Sequence, residues 1–340
     1  MQTSRRRFVT LMAGATAGLW GTSARAQRVI KYAHFQPAKT DQPNHAAALA
    51  FKEHVEKASN GSLKVDIYPA GQLGSAQQTA EGVRLGSIEL AVLHEGAITG
   101  IYKTFNIFGI PYLFESHQQA YTVLDGQFGK DLAEDMRKKT GVRLLSYADN
   151  GVRHFTNSKR IIKSPADLRG LKIRVQPSPV YIEFVKALGA SPSAIDWGEL
   201  PAALAQGTAD GQENSVSTIL AASLYQQQKY ATLDGHIYGQ FGYLANDRFF
   251  NGLSSSERVI VQEGVDRATK IHRDMTRALD LGAQKVLSDK GMSVTTLTGA
   301  EIDAFRKAAQ PAVRSYLETN ISRDWTNRLI ATAQSARSQG

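Results

Sequence analysis

The pattern that most constrains this chain is the alternation of short apolar segments with amphipathic ones in its first half. The apolar segments have the length of strands, and the amphipathic segments repeat apolar residues at helical spacing. The predicted strands are Val29–Phe35, Leu63–Ile67, Ile88–Leu93 and Val142–Tyr147, and the predicted helices are Pro43–Ser59 and one or two within 116–139. This alternation is typical of an α/β fold, with a mostly parallel sheet covered on both sides.

The ends of these strands give the first candidate site residues. In parallel α/β sheets, ligands bind beyond the carboxyl ends of the strands. His34 lies at the end of the first predicted strand, and His94 follows the third. Taken alone, each histidine is more simply explained as a surface or capping residue than as a ligand contact.

A second group of elements begins after a turn signal. The segment Asp149–Gly151 has the composition of a turn, and Val152–Thr156 is then extended again. A sheet that ends and restarts in this way predicts a crossing between two lobes. The 340 residues are enough for each lobe to have its own core.

Arg174 stands out in the second group. It lies in an alternating strand, Leu171–Val175, directly before a helix that Ser178 caps and Pro179 opens. An arginine can hold a carboxylate with two parallel hydrogen bonds, and a helix N-terminus also favours an anion. The simpler alternative is that Arg174 pairs with a neighbouring acid on a solvated strand face.

Helical patterns dominate the rest of the chain. We predict a helix over Trp197–Gln206, a polar turn over Asp210–Asn214, one long helix over Ser254–Leu287, and helices over Ala300–Leu317 and Ile321–Gln334 that pack on the second lobe. The long helix exceeds the average helix length considerably. Two ordinary helices broken near Gly264 or Gly282 remain the alternative.

The N-terminus has the form of an export signal. Paired arginines in Arg5–Arg7 precede an uncharged apolar run, and Ala24–Ala26 has the small-x-small pattern of a cleavage site. Residues 1–26 therefore predict a signal peptide that resembles a Tat signal, with a Sec signal as the alternative. Both place the mature protein outside the bacterial cytoplasm, in the periplasm.

Composition excludes several classes of function. Cysteine is absent, which excludes disulfides and thiolate chemistry. Without the first 26 residues, 36 basic residues face 31 acidic ones and form no dense run, so nucleic-acid binding is not indicated. Neither a hydrolase motif nor compact metal-ligand spacing occurs, so we expect no catalytic residue, cofactor or metal site. Whether a metal ion accompanies the ligand stays an open question.

Several motifs then occur in a recognisable order. They are Tyr68–Pro69, Gln72–Gly74, Pro111–Phe114, Asn150–Arg153 (NGVR), Pro165–Val175 (PADLRGLKIRV), Leu188–Pro192 (LGASP) and Asp210–Asn214 (DGQEN). Together they resemble the periplasmic solute-binding proteins of TRAP transporters over essentially the whole mature chain. The family pattern implies a two-lobed fold that closes around its ligand by a hinge, with a long helix along both lobes.

The resemblance implies roles for individual residues. Arg174 matches the arginine that pairs with the ligand carboxylate, Arg153 a more variable second arginine, and Asn214 an asparagine that also reaches the carboxylate. Trp197 matches an aromatic position of the cleft. The remaining ligand-binding candidates are His34, His94, Phe241, Ser178 and Glu213. Ser215 departs from the pattern, because the family usually has proline there.

The predicted lobes are 28–150 with about 240–279, and 151–239 with about 280–340. The resemblance implies that a monomer captures a small organic acid and delivers it to the small and large membrane subunits of a TRAP permease. Two alternatives stay open: an exported ligand-sensing subunit for a membrane receptor, and a periplasmic enzyme that acts on an organic acid. Which carboxylate is bound also stays open.

Overall fold

The computed structural model describes residues 27–337, so the predicted signal peptide lies outside the described residues. The strands are β1 (Arg28–Ala33), β2 (Leu63–Tyr68), β3 (Leu90–His94), β4 (Val142–Asn157), β5 (Lys172–Val175), β6 (Ser191–Ala194), β7 (Gly211–Ser215), β8 (Tyr230–Asn246) and β9 (Ser293–Thr296). The helices are α1 (Pro43–Ala58), α2 (Ala76–Leu85), α3 (Glu95–Ile101), α4 (His117–Leu124), α5 (Gln127–Thr140), α6 (Pro179–Ala187), α7 (Leu200–Ala205), α8 (Val216–Ala221), α9 (Asp247–Gly252), α10 (Ser255–Leu281), α11 (Ala283–Asp289), α12 (Gly299–Leu317) and α13 (Arg323–Arg337). Short 3₁₀ segments cover Lys103–Gly109, Pro165–Leu168, Trp197–Glu199 and Leu224–Gln226, and a π-helical turn covers Glu318–Ser322.

All the described strands join in one sheet, in the order β2-β1-β3-β8-β4-β7-β5-β6, with β9 added beside β8. The outer groups, β2-β1-β3 and β7-β5-β6, are parallel, while β8 and β4 in the centre run antiparallel to each other and to β3 and β7. Strand β9 pairs with β8 in parallel. Helices cover the sheet, as the alternating pattern predicts. The predicted α/β class is therefore confirmed.

Apolar side chains form a core in each half of the molecule. Ile30, Phe51 and Val265 belong to a fully buried cluster in which α1 and α10 cover the first strands. Phe155 and Phe184 belong to a larger cluster that extends from the second half into the first, where it includes Val83 and Leu132. Burial of such side chains is the main stabilising term of the fold, at roughly 25 cal/mol per Å² of apolar surface.

The two long strands β4 and β8 connect the halves and pair with each other along most of their length. The turn predicted at Asp149–Gly151 is wrong, because β4 continues through it. The pairing register shifts between Asp149 and Gly151, and Gly151 has φ +98°. The segment is a bulge inside a strand, and glycine is required there because other residues avoid this backbone conformation.

The polar turn predicted at Asp210–Asn214 is also wrong. This segment forms most of the buried strand β7, between β4 and β5. A strand of this polarity is stable in the interior because its side chains find partners across the sheet: Gln212 donates to Thr156, and Arg153 donates to Glu213. Composition alone gives no indication of those partners.

The long helix is confirmed as α10, which covers 27 residues and ends before Gly282. It continues through Gly264, which lies against α1. A Cβ atom at Gly264 would meet Val55 at 2.9 Å and Phe51 at 3.0 Å, so this glycine allows a close helix–helix approach. The alternative break at Gly282 is real, since α11 starts beyond it.

The last two helices pack differently from the prediction. Helix α12 packs on α6, as expected for the second lobe. Helix α13 instead lies against α4 and α5, where Trp325 contacts the Phe128 ring and the Gln119 amide donates to the Ala333 carbonyl. The predicted position of Ile321–Gln334 on the second lobe is therefore wrong, because apolar partners for this helix lie in the first lobe.

Candidate functional site: a cavity between the lobes

A cavity with an empty volume of about 440 Å³, part of it open to solvent, lies where the carboxyl ends of β1, β3, β5 and β7 meet the middle of β4 and β8. Its walls come from both predicted lobes. They are formed by Phe35, Gln36, Asn44, His94, Asn150, Arg153, Arg174, Gln176, Trp197, Asn214, Thr218, Ala221 and Phe241. The location agrees with the rule for ligand sites in α/β sheets.

Arg174 is a buried cation without an acidic partner among residues 27–337. Its side chain is 2 % exposed, and its Nε donates to the carbonyl of Ile195 at 2.8 Å. The two terminal nitrogens donate to no other side chain or backbone oxygen in the described part of the chain. Burial and the neighbouring Arg153 lower its pKa to about 10, against the attraction of Glu213. Arg174 is still protonated at neutral pH, so a buried guanidinium lines the cavity with its terminal donors available.

Arg153, the second arginine of the cavity, is already neutralised. Its Nε donates to Glu213 Oε2 at 2.6 Å, and its Nη2 donates to Glu213 Oε1 at 2.9 Å and to the Glu213 carbonyl at 2.8 Å. Both side chains are almost fully buried. Burial disfavours the charged form of each side chain, but their mutual attraction is stronger, so the pKa of Arg153 is raised and that of Glu213 is lowered. The fork of Arg153 therefore faces the protein's own carboxylate.

Behind this pair lies a second buried pair. His236 Nε2 is 3.2 Å from Glu213 Oε2, and His236 Nδ1 is 2.8 Å from Asp234 Oδ2. Burial lowers the pKa of His236, but the two carboxylates outweigh burial and raise it. Basic and acidic side chains thus alternate along the chain Arg153–Glu213–His236–Asp234.

Asn214 is held by a relay of neutral side chains. Its Nδ2 donates to Gln212 Oε1 at 2.6 Å, Gln212 donates to Thr156 at 2.7 Å, and Thr156 donates to Gln228 at 3.0 Å. The relay fixes the Asn214 amide beside Arg174. The amide nitrogen carries two hydrogens, and the bond to Gln212 uses one of them. The other remains available as a donor.

Aromatic rings form the apolar walls. Phe35 follows β1 in the first half, Trp197 begins a 3₁₀ segment in the second half, and Phe241 comes from β8. Phe241 pairs with His94 across the sheet, so strands β3 and β8 bring these two predicted residues together. Flat apolar surfaces of this kind pack against the carbon skeleton of a ligand.

His94 lines the cavity as a neutral imidazole. Burial lowers its pKa to about 3, and Arg174 and Arg153 act in the same direction. Its Nδ1 has no hydrogen-bond partner in the described part of the chain. His94 can therefore exchange a hydrogen bond with a neutral ligand group but does not supply a positive charge.

Six of the nine predicted site residues line the cavity, and three do not. His34 is buried behind the wall, 3.1 Å from His45 Nδ1, and burial and His45 lower its pKa to about 3. Ser178 stands at the start of α6, but its hydroxyl donates to Asn106 and caps nothing, so the predicted side-chain cap is wrong. Glu213 binds Arg153. These three residues support the wall rather than form it.

Tyr238, an aromatic residue three positions before Phe241 on β8, faces away from the cavity. It donates to Asp149 and lines a separate groove with Phe114 and His117. The reason is the alternation of β8, in which Tyr238 and Phe241 point to opposite faces across an odd spacing.

Sequence reasoning missed several polar residues of the wall: Asn44, Asn150, Gln176 and Thr218. Gln176 could have been predicted, because it stands two positions after Arg174 on an alternating segment and so faces the same side. Asn44 gives no sequence signal, since it opens an ordinary amphipathic helix. Asn150 was hidden by the turn composition of its neighbours.

Within 27–337, no three or more histidine, cysteine, aspartate or glutamate side chains are grouped to hold a metal ion. Over the same range, no helix combines the length and the apolarity that a membrane crossing needs.

Two halves of an α/β sheet joined by long strands, with a cavity between them, define a class: the two-lobed extracytoplasmic solute-binding proteins. Residues 33–320 match the family described as bacterial extracellular solute-binding protein, family 7, and the chain belongs to this family.

Individual relatives agree with this assignment. The chain is 30% identical to the 2,3-diketo-L-gulonate-binding periplasmic protein of Escherichia coli, over 92% of this chain and 94% of that protein. The sugar acid binding protein of Advenella mimigardefordensis, solved with galactonate, superposes with a TM-score of 0.86 at 32% identity, covering 91% and 99% of the two chains. A TRAP periplasmic solute-binding protein of Polaromonas, solved with D-erythronate, gives 0.83 at 29% identity, covering 90% and 99%. The predicted two-lobed fold and the predicted TRAP resemblance are confirmed.

Proposed function

We propose that this protein captures a small organic acid in the cavity by pairing its carboxylate with Arg174. One observation carries the proposal: a buried, protonated guanidinium whose terminal nitrogens have no partner in the described chain. A buried charge is stable only when a counter-charge and hydrogen bonds replace its hydration. A ligand carboxylate supplies both, and the free hydrogen of the Asn214 amide adds a donor beside it.

The relatives support this class of ligand. The Escherichia coli relative is named for binding 2,3-diketo-L-gulonate, and the two solved neighbours hold galactonate and D-erythronate. All three ligands are organic acids. We extend the carboxylate class to this chain because Arg174 and Asn214 provide for it, and we carry over none of the three ligands themselves.

We further propose that the protein works in the periplasm as a monomer and passes its ligand to a TRAP permease of small and large membrane subunits. Closure of the two lobes, 28–150 with about 240–279 and α13, and 151–239 with about 280–317, would exclude water and strengthen the Arg174–carboxylate pair. Ligand uptake that requires both this protein and the permease supports delivery. Ligand binding without any uptake would favour the sensing alternative.

The binding step is tested with two substitutions of Arg174. In Arg174→Ala the ligand carboxylate loses its partner, which costs about 2–5 kcal/mol of binding free energy. Arg174→Lys keeps the charge but loses the fork, so we expect an intermediate affinity. Affinity is measured by calorimetry with whichever acid from a carboxylate library raises the melting temperature of the wild-type protein.

A matched control is Arg84→Ala. Arg84 is exposed and pairs with Glu81 on α2, far from the cavity wall. We expect it to bind the acid as the wild type does. Equal affinity in Arg174→Ala and Arg84→Ala would contradict the proposed anchor, and a library in which only neutral compounds raise the melting temperature would contradict the carboxylate class.

A further inference from the structure

The charges around the cavity restrict its ligand beyond the carboxylate class. Of the two arginines on the wall, Arg153 is neutralised by Glu213. His94 is a neutral imidazole and adds no positive charge. Among the described residues that line the cavity, Arg174 is the one cation without a carboxylate. The cavity therefore neutralises one negative charge.

The wall away from Arg174 is polar and uncharged. Both atoms of the Asn44 amide, Nδ2 and Oδ1, are buried without a hydrogen-bond partner in the described chain. Gln176 Nε2 and His94 Nδ1 are also buried without a partner within hydrogen-bond distance, but the two side chains lie close enough for Gln176 to counteract part of the fall in the pKa of His94. A buried polar atom without a partner costs roughly 1–3 kcal/mol. Such a concentration of unpaired atoms on one cavity wall indicates that a bound molecule supplies their partners.

The type of partner follows from Asn44. Its amide presents a donor and an acceptor side by side, and neither is used within the described residues. A hydroxyl group both donates and accepts, so it can satisfy either atom, whereas a carbonyl or a carboxylate can only accept. The backbone N–H of Asn44 is held by Gln36 Oε1 at 2.8 Å, which fixes the residue at the start of α1.

Gln176 brings this polar wall close to the anchor. It stands two residues after Arg174 and reaches the first lobe, where its Oε1 lies 2.8 Å from the position that a Cβ atom of Gly96 would take. Its unpaired Nε2 can thus donate to a ligand group between Arg174 and the first lobe.

Resting on the proposed function, we infer that the ligand is a hydroxylated monocarboxylate, with its single carboxylate on Arg174 and its hydroxyl groups on Asn44 and Gln176. Two other classes of acid are disfavoured. A dicarboxylate would bury its second charge against amides that cannot neutralise it. An unsubstituted aliphatic acid would leave the Asn44 and Gln176 atoms unpaired, which a site built for hydroxyl groups penalises strongly.

A four-carbon series tests the inference by calorimetry on the purified protein. Erythronate and threonate carry one carboxylate and three hydroxyls, butyrate has no hydroxyl, and succinate has a second carboxylate; galactonate extends the series to six carbons. We expect at least one of the polyhydroxy acids to bind about a hundredfold or more tighter than butyrate and succinate.

Substitutions connect the preference to the wall. Asn44→Ala should reduce the affinity for the preferred hydroxy acid at least tenfold, while exposed Gln118→Ala on α4 leaves it unchanged. Thermal unfolding of each variant without ligand checks that the fold is intact, and Gln176→Ala provides a second, independent change in the same wall.

The outcomes separate the two levels of the argument. If succinate or butyrate binds as tightly as every hydroxy acid and Arg174→Ala abolishes that binding, the inference is wrong and the carboxylate anchor stands. If none of these acids or any other carboxylate binds, the proposed function is wrong and the inference falls with it. If a hydroxy acid is preferred and Asn44→Ala and Gln176→Ala both leave the preference unchanged, the assigned wall is wrong.

Discussion

Replacing Glu213 by glutamine should destabilise the protein strongly, although the change is isosteric and lies outside the cavity. The side chains of Glu213 and Arg153 are 0% and 1% exposed, and Arg153 Nε lies 2.6 Å from Glu213 Oε2. Removing one partner of such a buried pair costs about 3–5 kcal/mol, because the other charge stays buried without compensation. Glutamine still accepts a hydrogen bond from Arg153, so we expect the lower end of that range.

The converse substitution should cost less. In Arg153→Met, Glu213 keeps the His236 ring at 3.2 Å as a hydrogen-bond partner. In Glu213→Gln, Arg153 has no carboxylate at hydrogen-bond distance, and it keeps the amide oxygen of the new glutamine, a backbone carbonyl and the face of Tyr181, at 5.3 Å from the ring centre. The double variant should be less destabilised than the sum of the two single variants, since it leaves no unpaired arginine.

The assay is urea unfolding followed by tryptophan fluorescence, with the free energy of unfolding taken from the midpoint and slope. The control is Asp289→Asn, which removes an ion pair with Lys285 of the same 2.6 Å length on the exposed face of α11. Exposed pairs contribute about 0–1 kcal/mol, so the control should unfold close to the wild type. A Glu213→Gln variant that unfolds together with this control would refute the account of the buried pair.

Two further predictions concern the backbone and the pH dependence. Gly151→Ala should lower the free energy of unfolding by about 1–3 kcal/mol, because φ is +98° there and the added Cβ would meet Ser215 at 2.9 Å; Gly170→Ala, with φ +78° and open space, should lose less, and equal losses would remove the steric part of the argument. Acidification should also destabilise the protein: burial lowers the pKa of His34, His94 and His272 to about 3 each, so the unfolded chain takes up protons near pH 6.5 that the folded chain refuses. This stability is complete above about pH 6.5 and falls toward pH 3, by up to about 1.4 kcal/mol per pH unit for each histidine. The raised pKa of His236 does not offset the loss, because below about pH 6.5 the folded and the unfolded chain both hold its proton. Urea midpoints that stay constant from pH 7 to pH 5 would contradict the prediction.

Local patterns were sufficient for the parts of the structure that depend on neighbours in sequence. Helix α1 begins at Pro43 as predicted, and Arg174 lies in a short alternating strand before a helix. The motif resemblance also gave Asn214 and Trp197, which line the cavity as expected. In these cases spacing along the chain determines which way the side chain faces.

The errors arise where the partner is distant in sequence. Strand β7 looked like a polar turn because its partners, Thr156 and Arg153, lie more than 50 residues earlier; the bond from Gln212 to Thr156 spans 56 positions. Asn44 was missed for a related reason: what marks it is the absence of a partner in three dimensions, which a sequence does not display. The segment Asp149–Gly151 has the composition of a turn because a bulge and a turn both require a residue with a positive φ.

Glu213 shows why the charge of the site could not be read from its arginines alone. The motif places Arg153 and Arg174 at the cavity, and two cations would suit a dicarboxylate. The structure places the Glu213 carboxylate on Arg153, and His236 and Asp234 pair with each other behind it. The residue that sets the ligand's charge is therefore not a wall residue. It follows that Glu213→Gln, besides losing stability, should shift the ratio of affinities toward succinate over a singly charged acid, because Arg153 then offers the cavity a second uncompensated charge.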